Sequence, residues 1–184
     1  MSAGTIIVVV IVVLIGWGIM MYNRLVRLRV RAEGAWRDID TQLKRRYDLI
    51  PNLVETVKGY AAHERGVFEG VTKARAAAMG ATTPKEKARA EAGLKEALKS
   101  LFAVVENYPQ LKANENFQQL QRTLEETEDQ IQRARMYYNA VVRDLNTNIA
   151  LFPQSLLASL FHFQPREFYT LTGEEERKAP QVKF

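Results

Sequence analysis

Two histidines and no cysteine in 184 residues leave few side chains able to hold a metal or act as a nucleophile. His63 and Glu64 are adjacent, as in the helical zinc-hydrolase motif. That motif needs a second imidazole one turn further on, so that both rings meet one ion, and Val67 stands there instead. His162, the other histidine, lies far along the chain. Carboxylates are more plentiful. Asp38, Asp40 and Asp48 crowd together with Lys44, Arg45 and Arg46, and Glu125, Glu126, Glu128 and Asp129 with Arg133 and Arg135. Carboxylate pairs can do acid–base work. At helical spacing the same residues form surface ion pairs, or pairs between helices that fix register. No nucleophile, phosphate-cradling glycine loop or Ser-His-Asp set accompanies them, so the structural reading is preferred. The sequence predicts no enzyme, no cofactor and no metal. Asn52, Asn139 and Asn146, polar residues near apolar seams, are expected to hydrogen-bond between helices.

The charged residues that point elsewhere are Arg24, Arg27, Arg29 and Arg31. They follow directly on Thr5–Tyr22, TIIVVVIVVLIGWGIMMY, which carries no charge. The β-branched residues of that run favour strand in water, but a lone strand cannot satisfy its backbone in lipid, so helix is expected. As a helix the run is about 27 Å long, close to the hydrocarbon thickness of a bilayer. Thr5, Ile11, Leu14, Trp17 and Tyr22 mark the predicted span. A cleaved signal would need a basic start and a small-residue cleavage site, and neither flank supplies one. The arginines put their side in the cytoplasm and the N-terminus outside, with Trp17 and Tyr22 near the interface. Guanidiniums so close to headgroups also attract anionic lipid. Much of the net charge of +5 sits in this cluster. The remaining charges are interspersed, so the basicity is read as membrane-facing, with no nucleic-acid partner.

The rest of the chain must form the body beside this span. Leu25, Leu28, Ala32, Ala35, Trp36, Ile39, Leu43, Tyr47 and Ile50 recur at steps of three and four, an amphipathic helix running on from the anchor. Pro51 either kinks this helix or opens a second one at its first position, reaching to about Met79. Gly59, Gly66 and Gly70 in that second stretch suggest close helix contacts. Thr83, Pro84 and Glu86 announce a third helix by capping-box spacing, and Tyr108-Pro109 ends it. Asn114 or Asn116 caps the longest helix, which Phe152-Pro153 stops near Ala150. The fold expected is all-α: an N-terminal transmembrane helix, residues 1–23, then an antiparallel bundle of three or four helices over 24–163. A tail, 164–184, which carries Glu174–Glu176, is expected to be loosely ordered at its end. In the short apolar piece before that tail, Leu156, Leu157, Leu160, Phe161 and Phe163 have three open fates. They pack on the bundle, dock onto a neighbouring subunit, or lie in the membrane interface.

Tyr22-Asn23, Ala35-Trp36, and IDTQLKRRYDLIPNLVETVKGYAAHE from Ile39 to Glu64 are long, specific stretches. So are ANENFQQLQRTLEETEDQIQRARMYYNAVVRDLN, from Ala113 to Asn146, and Phe152-Pro153. On these the sequence resembles the LemA family of bacterial membrane proteins, from the anchor to about Tyr169, with Ala76–Ala97 matching least. The resemblance implies one N-terminal membrane helix in the bacterial cytoplasmic membrane, a short outer N-terminus and a cytoplasmic helical bundle. It brings no established activity. Relatives include a protein used in building magnetosome membranes, and the family's genes often lie near a membrane metalloprotease of the HtpX type. The function expected is a non-enzymatic scaffold that self-associates into homo-oligomers, or recruits partners, to organise or shape the cytoplasmic membrane surface. The alternative is an adaptor or regulator of such a protease.

Overall fold

A computed structural model of the protein describes residues 2–170. Among these the chain is all-α. Its helices are α1 (Ala3–Lys58), α2 (Arg65–Gly80), α3 (Pro84–Val105), α4 (Pro109–Lys112), α5 (Glu115–Ala150) and α6 (Gln154–Leu160). The end of the tail, with Glu174–Glu176, lies outside the described residues.

Of the two fates open to Pro51, the start of a second helix is not the one adopted: α1 passes through it and ends at Lys58. The reason lies one turn back. Proline has no N–H, so the carbonyl of Tyr47 loses its helical donor. Arg75 Nε of α2 donates to that carbonyl at 2.7 Å. Ile50 and Leu53, on either side of the proline, are buried and hold the turn by packing. The break falls instead at Gly59, after which a turn leads into α2. A Cβ at Gly66 or Gly70 would meet nothing within 4 Å, so these glycines serve no close helix approach.

The described residues divide into two compact units. One comprises Ile39–Arg133 with Tyr169. Its core takes Ile39, Leu43, Ile50, Leu53 and Val57 from α1, Phe68 and Val71 from α2, Leu94, Leu98 and Leu101 from α3, and Phe117 and Ile131 from α5. Fully burying side chains of this size contributes about 1.5–3 kcal/mol each, and the three- and four-residue spacing delivers them to one stripe per helix. Helix α3 begins as its sequence announces: the Glu86 N–H donates to Thr83 Oγ1 at 3.2 Å and the Glu86 carboxylate accepts from the Thr83 N–H. These backbone bonds hold the Glu86 carboxyl below its usual range. Asn114 is the cap chosen for α5, its Oδ1 accepting from the Phe117 N–H at 3.1 Å.

The other unit comprises the chain up to Asp38 with Ala134–Phe168. Here Trp36 of α1 lies against Tyr138 of α5, ring centroids 5.4 Å apart. Helix α6 ends in a Schellman turn. The Phe163 N–H donates to the Ala158 carbonyl at 2.9 Å and the His162 N–H to that of Ser159 at 3.3 Å. His162 takes the left-handed position, φ 55°, usually given to glycine. The turn sends Phe163 back onto Ala158 and Leu25. After it the chain runs extended along α5. Asn146 grips that segment at Arg166, donating through Nδ2 to the carbonyl and accepting the N–H on Oδ1, both at 2.9 Å. Tyr138 donates to the Glu167 carbonyl at 2.9 Å. Asn146 therefore bonds to a non-helical strap and not, as expected, to another helix.

Candidate membrane-contact site

Helix α1 is long and apolar enough, near its start, to cross a membrane. Every side chain from Ile6 to Ile15 is at least half exposed, and Ile11, Leu14 and Trp17 stand out with them. In water such a surface is costly, since each large apolar side chain left exposed forfeits on the order of 1.5–3 kcal/mol. Tyr22 closes the run differently. It is half-buried, with its ring 4.7 Å from that of Phe161 and 5.9 Å from that of Phe163.

The four arginines expected to act together separate into two environments. Arg24, Arg27 and Arg31 recur at steps of three and four, which places them on one face of α1. With Leu28 they form one wall of an open recess of about 480 Å³. Arg143, Asp144, Thr147 and Asn148 of α5 form the other. Arg29 projects elsewhere, its guanidinium 5.2 Å above the Phe163 ring, a cation–π contact. The sequence reading missed Arg143. Its signal was the antiparallel pairing of α1 with α5, seen in Trp36 against Tyr138, which brings Arg143 level with Arg31. Four guanidiniums thus face a single carboxylate, Asp144. Among the described residues none of the four forms an ion pair. Like charges gathered in this excess over counter-charge raise the local concentration of anions. Asn148 is buried and donates to the Asp144 carbonyl at 2.7 Å, so it shapes the floor.

The short apolar segment has two faces. Ala158 and Phe163 are buried against Leu25, with Tyr22, Val26 and Ile149 packed around them. Leu157 is half-buried. Leu156, Leu160 and Phe161 face outward, as do Leu151 and Phe152 in the turn before α6.

Three members of the charged clusters, Asp40, Arg46 and Glu128, are held in ion pairs. Arg46 Nη1 meets Glu91 at 2.9 Å and Glu128 at 2.8 Å. The Tyr47 hydroxyl donates to the other oxygen of Glu91. Arg46, Tyr47 and Glu91 are all at most 5% exposed, so a substrate has no access to them. Burial, and the Glu91 carboxylate beside it, push the Tyr47 phenol well above its ordinary value and keep it a donor. Lys87 and Asp40 pair at 2.8 Å. His63 and Glu64 sit in the turn between α1 and α2, not on a helix. Among the described residues no group of three or more His, Cys, Asp or Glu could hold a metal ion.

A model of the LemA family matches residues 35–184. Among curated proteins, "Magnetosome protein MamQ 2" of Paramagnetospirillum magneticum is 26% identical over 177 residues, covering 82% of this chain and 65% of that protein. "Magnetosome protein MamQ" of Magnetospirillum gryphiswaldense is 25% identical over the same extent. The chain spans 65% of the length of these relatives.

Proposed function

Given that this chain belongs to the LemA family, we propose that it is a non-enzymatic, membrane-anchored helical scaffold that organises the membrane surface by self-association or by recruiting partners. The observation that carries this reading is the exposed apolar run of α1, continued without a break into a face of arginines that form no ion pair among the described residues. A bilayer takes up the first, and the phosphates of anionic lipids at its surface neutralise the second. The positive-inside rule orients the chain with its N-terminus outside and the bundle on the cytoplasmic side of the bacterial inner membrane. Confinement to a plane raises effective concentration, so weak faces suffice for assembly. The relatives' name, magnetosome protein, fits a protein that works on a membrane compartment.

The test is the behaviour of the full chain in membranes and detergent. It stays in the membrane pellet through an alkaline wash, and its particles grow beyond a monomer as concentration rises. Release by the wash removes the anchor. Strictly monomeric particles across the concentration series remove self-association, and recovery of a membrane protease by crosslinking in cells favours the adaptor reading instead.

A further inference from the structure

We propose that the turn after α5 and the outer face of α6 form a second membrane contact, an in-plane wedge seated in the same leaflet as the arginine-rich end of the anchor. The proposal rests on the reading that Thr5–Tyr22 spans the bilayer.

Phe152, Leu156 and Leu160 recur at steps of four and are 79%, 63% and 67% exposed. Leu151 and Phe161 beside them are about half exposed. A seven-residue helix with so much apolar surface turned outward is unusual in water, because α6 already spends Ala158 and the Schellman residue Phe163 on its own unit. The outward stripe is additional to the core, not part of it. An apolar patch of this kind marks a contact with a partner or a membrane.

The position of α6 selects between them. Its end is fastened to the last residue of the anchor and the turn that follows it: Phe161 on Tyr22, and Ala158 and Phe163 on Leu25, with Val26 alongside. Tyr22 closes the uncharged run and Arg24 opens the charged one. This is the level at which hydrocarbon gives way to headgroups, where aromatic side chains settle. One turn nearer the N-terminus, Trp17, Ile19 and Met20 are themselves exposed and apolar. The apolar surface of the anchor therefore continues onto Phe161 and the stripe of α6. A helix held at this depth by the anchor lies beside lipid at all times, whereas any protein partner would have to displace lipid from it. Arg29, stacked on Phe163, sets a positive charge beside the wedge, where lipid phosphates lie. A short amphipathic helix in this place lies in the interface plane, apolar face down.

Because the chain has no cysteine, single-cysteine variants carry a spin label at one site only. The full chain is reconstituted in vesicles of phosphatidylglycerol and phosphatidylcholine as F152C, L156C and L160C. L14C in the anchor and E126C on the exposed side of α5 serve as lipid and water references. Helicity equal to that of the parent verifies each fold. Relaxation by oxygen, which concentrates in lipid, is compared with relaxation by a water-soluble nickel chelate. The wedge predicts that labels at 152, 156 and 160 favour oxygen severalfold, as at 14, and the reverse at 126. Labels that respond like that at 126 while 14 responds as lipid overturn the wedge and leave the anchor standing. Labels shielded from both agents, with spin–spin broadening that fades on dilution by unlabelled chain, assign the stripe to a second copy and also overturn it. A water-like label at 14 removes the anchor, and the wedge with it.

Discussion

At the scale of single residues, one ion pair is buried and sets much of what a substitution would cost. Arg46 and Glu91 show why. Each lies away from water, and a buried charge is tolerable only with its partner in place. Replacing Arg46 by Met takes the guanidinium from the buried Glu91 and lowers stability by up to about 3–5 kcal/mol, seen as a fall in the midpoint of thermal unfolding of the full chain in detergent. Glu91→Gln costs less, because Glu128, 2.8 Å from Arg46 and partly open to water, still balances the guanidinium. An equal or greater loss in Glu91→Gln would show that the Glu128 contact contributes nothing. The sequence pointed to Arg46 and Glu128 as members of charged helix faces. It had no way to mark which members were buried, since Glu91 sits in the Ala-rich KEKARAEAGLKEA stretch and looks solvated there. Burial of one carboxylate in a charged helix is decided by the neighbour it meets, not by its own surroundings in the chain.

At the scale of elements, most helices were legible because their ends carry their own chemistry. The capping box of Thr83 and Glu86, the cap at Asn114 and the stop at Phe152-Pro153 are local signals, and the structure follows all three. Pro51 left two readings open for the opposite reason. Its usual effect is local, while its rescue comes from Arg75 on another helix. The coupling is measurable. Arg75→Met in the parent chain leaves the Tyr47 carbonyl without a donor, a loss of about 1–3 kcal/mol. In a Pro51→Ala background the restored N–H serves that carbonyl, so the same substitution costs clearly less. Equal costs in both backgrounds, measured as a double-mutant cycle on thermal unfolding, would contradict this account. The α1 bounds shift accordingly, with the true break at Gly59, where no hydrophobic signal distinguishes it from the glycines that follow.

For the whole molecule, the apolar run and the family were readable in the sequence, because length without charge and long matching stretches are both sequence properties. The site at the run's end was only half readable. Four arginines close together in sequence look like one cluster, yet only three share a face, and the fourth member of the recess, Arg143, comes from a helix more than a hundred positions later. A variant with Arg24, Arg27, Arg31 and Arg143 all changed to Gln keeps its anchor and stays in the membrane pellet. Its preference for vesicles rich in phosphatidylglycerol over neutral ones falls severalfold, and what preference is left becomes less sensitive to salt. An unchanged preference, read by partitioning between the two vesicle types, would detach the recess from lipid recognition.

The bond from Arg75 to the Tyr47 carbonyl also sets an order of events. During synthesis Arg75 emerges 28 residues after Tyr47. Until it does, the growing helix carries an open carbonyl at the turn before its proline, with only water to fill it. The anchor is made first, but the far end of that same helix is finished only by a segment the ribosome has yet to deliver. Maturation of this chain thus runs backward at one point, with a later piece completing an earlier one.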